Sequence, residues 1–136
     1  MWIVQRFWKP SPDGELTGTE LHLTLKAEGI KDVFITDTKY SIASEHDIRN
    51  LLSMDVFKFR EYVPDKYDCD NYAFSFMGTA TNLLSGYAIG IIFVRTPNGN
   101  HALNFFVDKN SKIRYIEPQK MQIISGKNYE PYFVLI

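Results

Sequence analysis

Asp68-Cys69-Asp70-Asn71-Tyr72-Ala73-Phe74-Ser75-Phe76-Met77-Gly78-Thr79-Ala80-Thr81-Asn82-Leu83-Leu84 is the stretch on which the fold reading turns. Cys69, Tyr72, Ala73, Phe76, Met77, Ala80, Leu83 and Leu84 recur at helical spacing and make one apolar stripe. Asp68 suits the N-cap, and Ser85-Gly86 ends the run. An amphipathic helix starting at Cys69 needs an apolar surface to lie on. Three strand-like runs follow it: Tyr87–Arg95, His101–Val107 and Ile113–Glu117. Pro97-Asn98-Gly99-Asn100 joins the first two, and Asp108-Lys109-Asn110 suits a hairpin loop between the last two. A final run, Tyr132–Ile136, reads as an added edge strand.

Upstream, the first few residues are strand-like and Pro10-Ser11-Pro12-Asp13-Gly14 is a turn cluster. Leu21-His22-Leu23-Thr24-Leu25 alternates and reads as a strand, as does Val33-Phe34-Ile35-Thr36. Ser44 caps a helix running to about Met54, with Glu45 and Asp47 in its first turn and Ile48, Leu51 and Leu52 inward. Phe57–Lys66 reads as an aromatic and charged loop. The order, helices and then an antiparallel sheet, predicts an α+β fold in one domain over residues 1–136.

Composition bounds the chemistry. At 136 residues with 45% apolar content, the chain is long enough for a core of its own. A net charge of −1 offers no basic surplus for nucleic acid. The single cysteine forms no internal disulfide, which suits a reducing compartment. Neither a signal-type run nor a membrane-length apolar stretch is present, since the longest, near Tyr87–Val94, contains Gly90. The expectation is a cytoplasmic protein that binds neither nucleic acid nor membrane.

Three positions carry reactive groups. Free N–H groups at a helix start stabilise a thiolate at Cys69 and offer donors for an oxyanion. Asp68 and Asp70 oppose that ionisation, and His101 is the group to offset them. His101 and Glu117 are 16 apart, an even number. With a three-residue loop Val107 pairs with Ser111, and His101 then faces Glu117 on the sheet surface that carries Leu103, Phe105, Ile113 and Tyr115. The Cys69 helix is expected on that surface, with His101 between thiol and carboxylate.

The segments Tyr67-Asp68-Cys69-Asp70-Asn71-Tyr72-Ala73, Gly99-Asn100-His101-Ala102-Leu103-Asn104 and Ile116-Glu117-Pro118-Gln119 resemble a group of small papain-like and transglutaminase-like cysteine peptidase domains of bacterial and phage proteins. A related domain forms the C-terminal part of the Marasmius oreades agglutinin. The likeness runs from about Glu45 to Gln119. It implies a papain-like fold, with Cys69 as nucleophile, His101 as general base and acid, and Glu117 as orienter of a catalytic triad. It also implies a hydrolase acting through a thioester on a peptide or amide, with a protein as one such substrate, and a phage association. The residues themselves require no cofactor; calcium enters only through the fungal relative. The chain lacks a glutamine just upstream of Cys69 and carries Glu where papain carries Asn. The alternative is a binding or structural module that keeps the fold without the chemistry.

The plainer readings stand beside these. Cys69 is also what a buried thiol on an apolar stripe looks like. Asp68 and Asp70 are ordinary helix-start residues, His22 a strand residue and His46 a surface one. One cysteine and three scattered histidines have no zinc spacing.

Overall fold

Thr17 decides the first element differently from the alternation of Leu21–Leu25. In the computed structural model, which describes residues 8–54 and 60–136, Thr17 Oγ1 accepts the Glu20 N–H at 3.0 Å and Glu20 Oε1 accepts the Thr17 N–H at 3.4 Å. This capping box starts helix α1, Gly18–Ala27. Leu21 and Leu25, one turn apart, are fully buried, while Leu23 is 63% exposed. The expected strand is therefore a helix. Residues 21, 23 and 25 satisfy a period of two, but only 21 and 25 are buried, and they share a helical face. The strand expected of the first few residues lies outside the described residues, as do Phe57 and Phe59 of the expected loop.

Strand β1, Gly14–Thr17, pairs with β3, Lys39–Ile42, in a small antiparallel sheet. Helix α2, Glu45–Leu52, and helix α3, Cys69–Leu83, follow. The main sheet holds β2 (Asp32–Phe34), β4 (Ile89–Thr96), β5 (Gly99–Val107), β6 (Ile113–Glu117), β7 (Gln122–Ile124) and β8 (Glu130–Leu135). Their spatial order is β2-β8-β4-β5-β6-β7. The α+β expectation holds, with two changes. The last strand lies between β2 and β4 instead of at an edge, and β2 runs parallel to it. A parallel neighbour so distant in sequence leaves no turn signal to read.

The sheet is covered on both faces. Ile92, Val94, Leu103, Phe105 and Val107 pack in one cluster with Leu21 and Leu25 of α1. Ile89, Phe106 and Ile116 pack with Ile48 and Leu51 of α2 and with Phe76 and Ala80 of α3. The α3 stripe is as expected, with Tyr72, Ala73, Phe76, Ala80 and Leu84 buried. The face it covers is the other one: α3 lies on Ala102 and Phe106, not on Leu103 and Phe105. Gly90 interrupts β4 because no side chain fits there. A Cβ would lie 2.6 Å from the Leu135 carbonyl oxygen and 2.9 Å from Phe105 Cε1.

Helix α2 has the expected cap, with Ser44 Oγ accepting the Asp47 N–H at 3.1 Å. Asp47 itself is fully buried. Its carboxylate accepts from Trp8 Nε1 at 3.0 Å, the Ser11 N–H at 2.9 Å and the Tyr87 hydroxyl at 2.8 Å. Burial, and then the hydrogen bond to Asp47, pushes the Tyr87 phenol well above its ordinary range. This one carboxylate ties the N-terminal segment, α2 and the approach to β4 together. Its position in the first helical turn is favourable for a negative charge. Replacing Asp47 by Ala is expected to cost about 3 kcal/mol, because it strands buried donors that faced a charge. Urea unfolding of Asp47→Ala beside the parent chain measures that loss.

Candidate functional site

The turn between β5 and β6 positions the two polar residues singled out on these strands. Asp108 Oδ1 accepts the N–H groups of Asn110 at 2.9 Å and Lys112 at 3.0 Å, and Ser111 takes a φ of 58°. The result is a five-residue loop, with Val107 paired to Ile113 and Asn104 to Ile116. The expected three-residue loop is thus two residues too short. An odd-length loop of either size preserves parity, so His101 and Glu117 still share a face. They meet as a diagonal pair, not directly opposite.

His101 Nε2 lies 2.6 Å from Glu117 Oε2. A carboxylate only accepts, so Nε2 carries the hydrogen and donates it. Glu117 Oε1 accepts the Gln119 N–H at 3.2 Å, which pins the chain as it leaves β6. Glu117 is 7% exposed, so this is a sheltered pair and not a solvated strand end.

Cys69 occupies a different setting. It is partly buried and packs on the cluster of Ala73, Ile91 and Ala102, beside Met77 and Phe93. Ala102 follows His101, so the thiol is at the same end of β5. Strand alternation, however, places Ala102 with the α3 face, and His101 pairs with Val94 of the opposite cluster. Among the described residues the Cys69 thiol makes no hydrogen bond to His101. The structure thus joins His101 to Glu117 and seats Cys69 on the neighbouring cluster.

Around the thiol the charges are negative. Asp68 holds the cap position of α3, and its N–H donates to Asn71 Oδ1 at 3.1 Å. The Asp70 carboxyl is raised above its ordinary value, first by a hydrogen bond shared with Asp68, then by burial and by the charge of Asp68. The Tyr62 phenol is raised by desolvation and then by the neighbouring Cys69 and the Asp68, Asp65 and Asp70 carboxylates. No three His, Cys, Asp or Glu side chains come together as a metal cage among the described residues.

A second feature had no motif to announce it. On the α1 side of the sheet lies a cleft of about 490 Å³, lined by residues including Glu28, Lys112, Tyr115, Ser125, Gly126 and Tyr129. The Tyr115 and Tyr129 rings meet edge to face, with centroids 5.6 Å apart. The only sequence signal was Tyr115 on the same face as Glu117; Tyr129 and Gly126 arrive through the chain after β7.

Comparison with known proteins places the chain. It belongs to the family of ricin-type beta-trefoil lectin C-terminal domains, which it matches over residues 20–136. Two solved chains share its fold at 24% identity, each aligned to 90% of this chain. One is described as a PSL1a-E64 complex, with a TM-score of 0.80. The other is the Polyporus squamosus lectin bound to the human-type influenza-binding epitope Neu5Aca2-6Galb1-4GlcNAc, with a TM-score of 0.76. This chain spans about half of each, 51% and 49%. No curated protein matches it.

These findings correct the functional expectation. The kinship to an agglutinin's C-terminal domain agrees with the lectin family. One of the two neighbours is described as a lectin, and the papain-like expectation gives way to the lectin family. The cysteine hydrolase reading, with its peptidase or amidase activity, thiol nucleophile and peptide or amide substrate, is overturned by the lectin family to which the chain belongs. The packing of α3 on the face opposite Leu103 and Phe105 removes the geometric argument that had supported it. No helix among the described residues is long and apolar enough to cross a membrane.

The Asp68–Asp70 pair yields a pH prediction. A folded-state value raised above 3.8 favours folding in acid, where the proton is held, and that contribution is lost as pH rises through the folded value. Asp70→Asn removes the repulsion. It is expected to match the parent chain in stability below the ordinary carboxylate range and to exceed it at neutral pH. Denaturant midpoints measured across that range check the sign.

Proposed function

We infer that this chain is a carbohydrate-recognition domain, the C-terminal part of a lectin in which residues 1–136 form one folding unit. The observation that carries this reading is the family match over residues 20–136. The Polyporus squamosus lectin, of which the chain covers half, is described with a bound glycan, which agrees with the same class of ligand. The chemistry of the described surface suits it as well. Sugars present vicinal hydroxyls and weakly polar C–H edges, and are held by converging hydrogen-bonding groups beside aromatic rings. This chain offers such a combination on the α1 side of its sheet.

The purified chain tested against an array of neutral and sialylated glycans is expected to retain at least one class of glycan, and to release it when the free sugar is added. Retention of none would overturn the reading and place recognition in the half of the lectins that this chain does not cover.

A further inference from the structure

We propose that the hollow between the C-terminal half of α3 and the turn after β2 binds a small organic ammonium ion with an apolar body, an alkyl or aralkyl amine. The hollow measures about 260 Å³. Its walls define the body of the ligand. Met77 and Ala80 of α3, Leu84 at the end of that helix, and Ile89 and Ile136 from the sheet side supply the apolar lining. Ala80, Leu84 and Ile136 are buried, so these walls are already formed. Drug-sized ligands occupy roughly 300–1,000 Å³, and this smaller space suits one ring or a short chain.

The hydrogen-bonding groups define its head. Of the hydroxyls in the lining, those of Thr36, Tyr40 and Tyr87 donate within the protein. Thr36 Oγ1 donates to the Ile136 carbonyl at 3.0 Å, the Tyr40 hydroxyl to the same oxygen at 3.2 Å, and the Tyr87 hydroxyl to Asp47 Oδ2 at 2.8 Å. The Tyr40 hydroxyl also accepts the Asp37 N–H at 3.0 Å, which fixes the turn that carries the Asp37 carboxylate. That carboxylate has one long contact, 3.5 Å to Thr36 Oγ1, whose proton is already committed. The lining therefore offers acceptors and, Thr81 apart, no side-chain donor. An ammonium group only donates and fits such a lining; a carboxylate or phosphate, which accepts, does not.

Charge points the same way. Asp37 lines the hollow, and no lysine or arginine does. Behind Tyr87 stands the fully buried Asp47, held by Trp8, Ser11 and Tyr87 and by no cation among the described residues. A sheltered concavity with charge of one sign attracts the opposite one. Tyr40 and Tyr87 add aromatic rings, whose faces favour a cation. A bare metal ion is a poor match, because Asp37 is the one carboxylate in the lining.

The test is titration of the isotope-labelled chain with 2-phenylethylamine near neutral pH, followed by amide shifts. 2-Phenylethanol and 3-phenylpropanoate serve as neutral and anionic counterparts of similar shape. The amine is expected to move the amides of Asp37, Ala80, Thr81 and Gly86 to saturation, and to bind less tightly as salt is raised. The alcohol is expected to bind roughly 10-fold more weakly, and the propanoate not at all. Asp37→Asn keeps the shape and is expected to weaken the amine roughly 10-fold. Thr81→Lys places a cation at the rim and is expected to abolish binding. Both positions are exposed, so both variants are expected to keep the parent's urea midpoint, which separates loss of the site from loss of the fold. Equal binding of amine and alcohol, amine binding by Asp37→Asn as tight as the parent's, shifts confined to another surface, or no shifts at all would overturn the site. Glycan retention is a separate readout, so each of these outcomes leaves the carbohydrate reading to its own test.

Discussion

Strand β5 is buried on both sides, and everything of functional interest follows from how its side chains alternate. Ala102 through Val107 are all buried, and successive residues serve different layers. Leu103, Phe105 and Val107 belong to the α1 side, and Ala102 and Phe106 to the side of α2 and α3. Shifting that register by one residue would exchange the two layers entirely. The Asp108 turn holds it through two N–H groups bound by one carboxylate oxygen. The same register brings His101 to Glu117 and sets Tyr115 on the α1 face beside Gly126.

Much of this was legible in the residues and some was not, for physical reasons. Helix α3 was readable because its apolar stripe spans four turns and sits between an aspartate and a glycine. The cap of α2 by Ser44 was equally direct. The helix of Leu21–Leu25 was hidden because a short run with leucine at every second position fits both periods, and the capping box of Thr17 and Glu20 settled it. The pairing of His101 with Glu117 was legible as parity, which three- and five-residue loops share. Which face α3 covers was not legible. A strand buried on both sides shows no polar face, so its alternation says nothing of what lies on each.

The candidate chemistry was misread for a related reason. A thiol at a helix start, a histidine on one strand and a glutamate on the next make a pattern of residue types, and residue types do not specify an activity. The structure supplies a local role for two of them: Glu117 joins the His101 ring to the Gln119 backbone and braces the end of β6. The cleft beyond them depends on the pressing of Tyr115 against Gly126, a contact across separate segments that no local motif encodes.

Carbohydrate recognition as proposed requires nothing of the thiol at the start of α3. Cys69 is the chain's single cysteine and is partly exposed, so it can be alkylated selectively. The direct measurement is calorimetric titration of a bound glycan before and after iodoacetamide modification of Cys69. Unchanged affinity is the result this account predicts. Loss of glycan binding on alkylation would contradict it and move the binding surface to the start of α3.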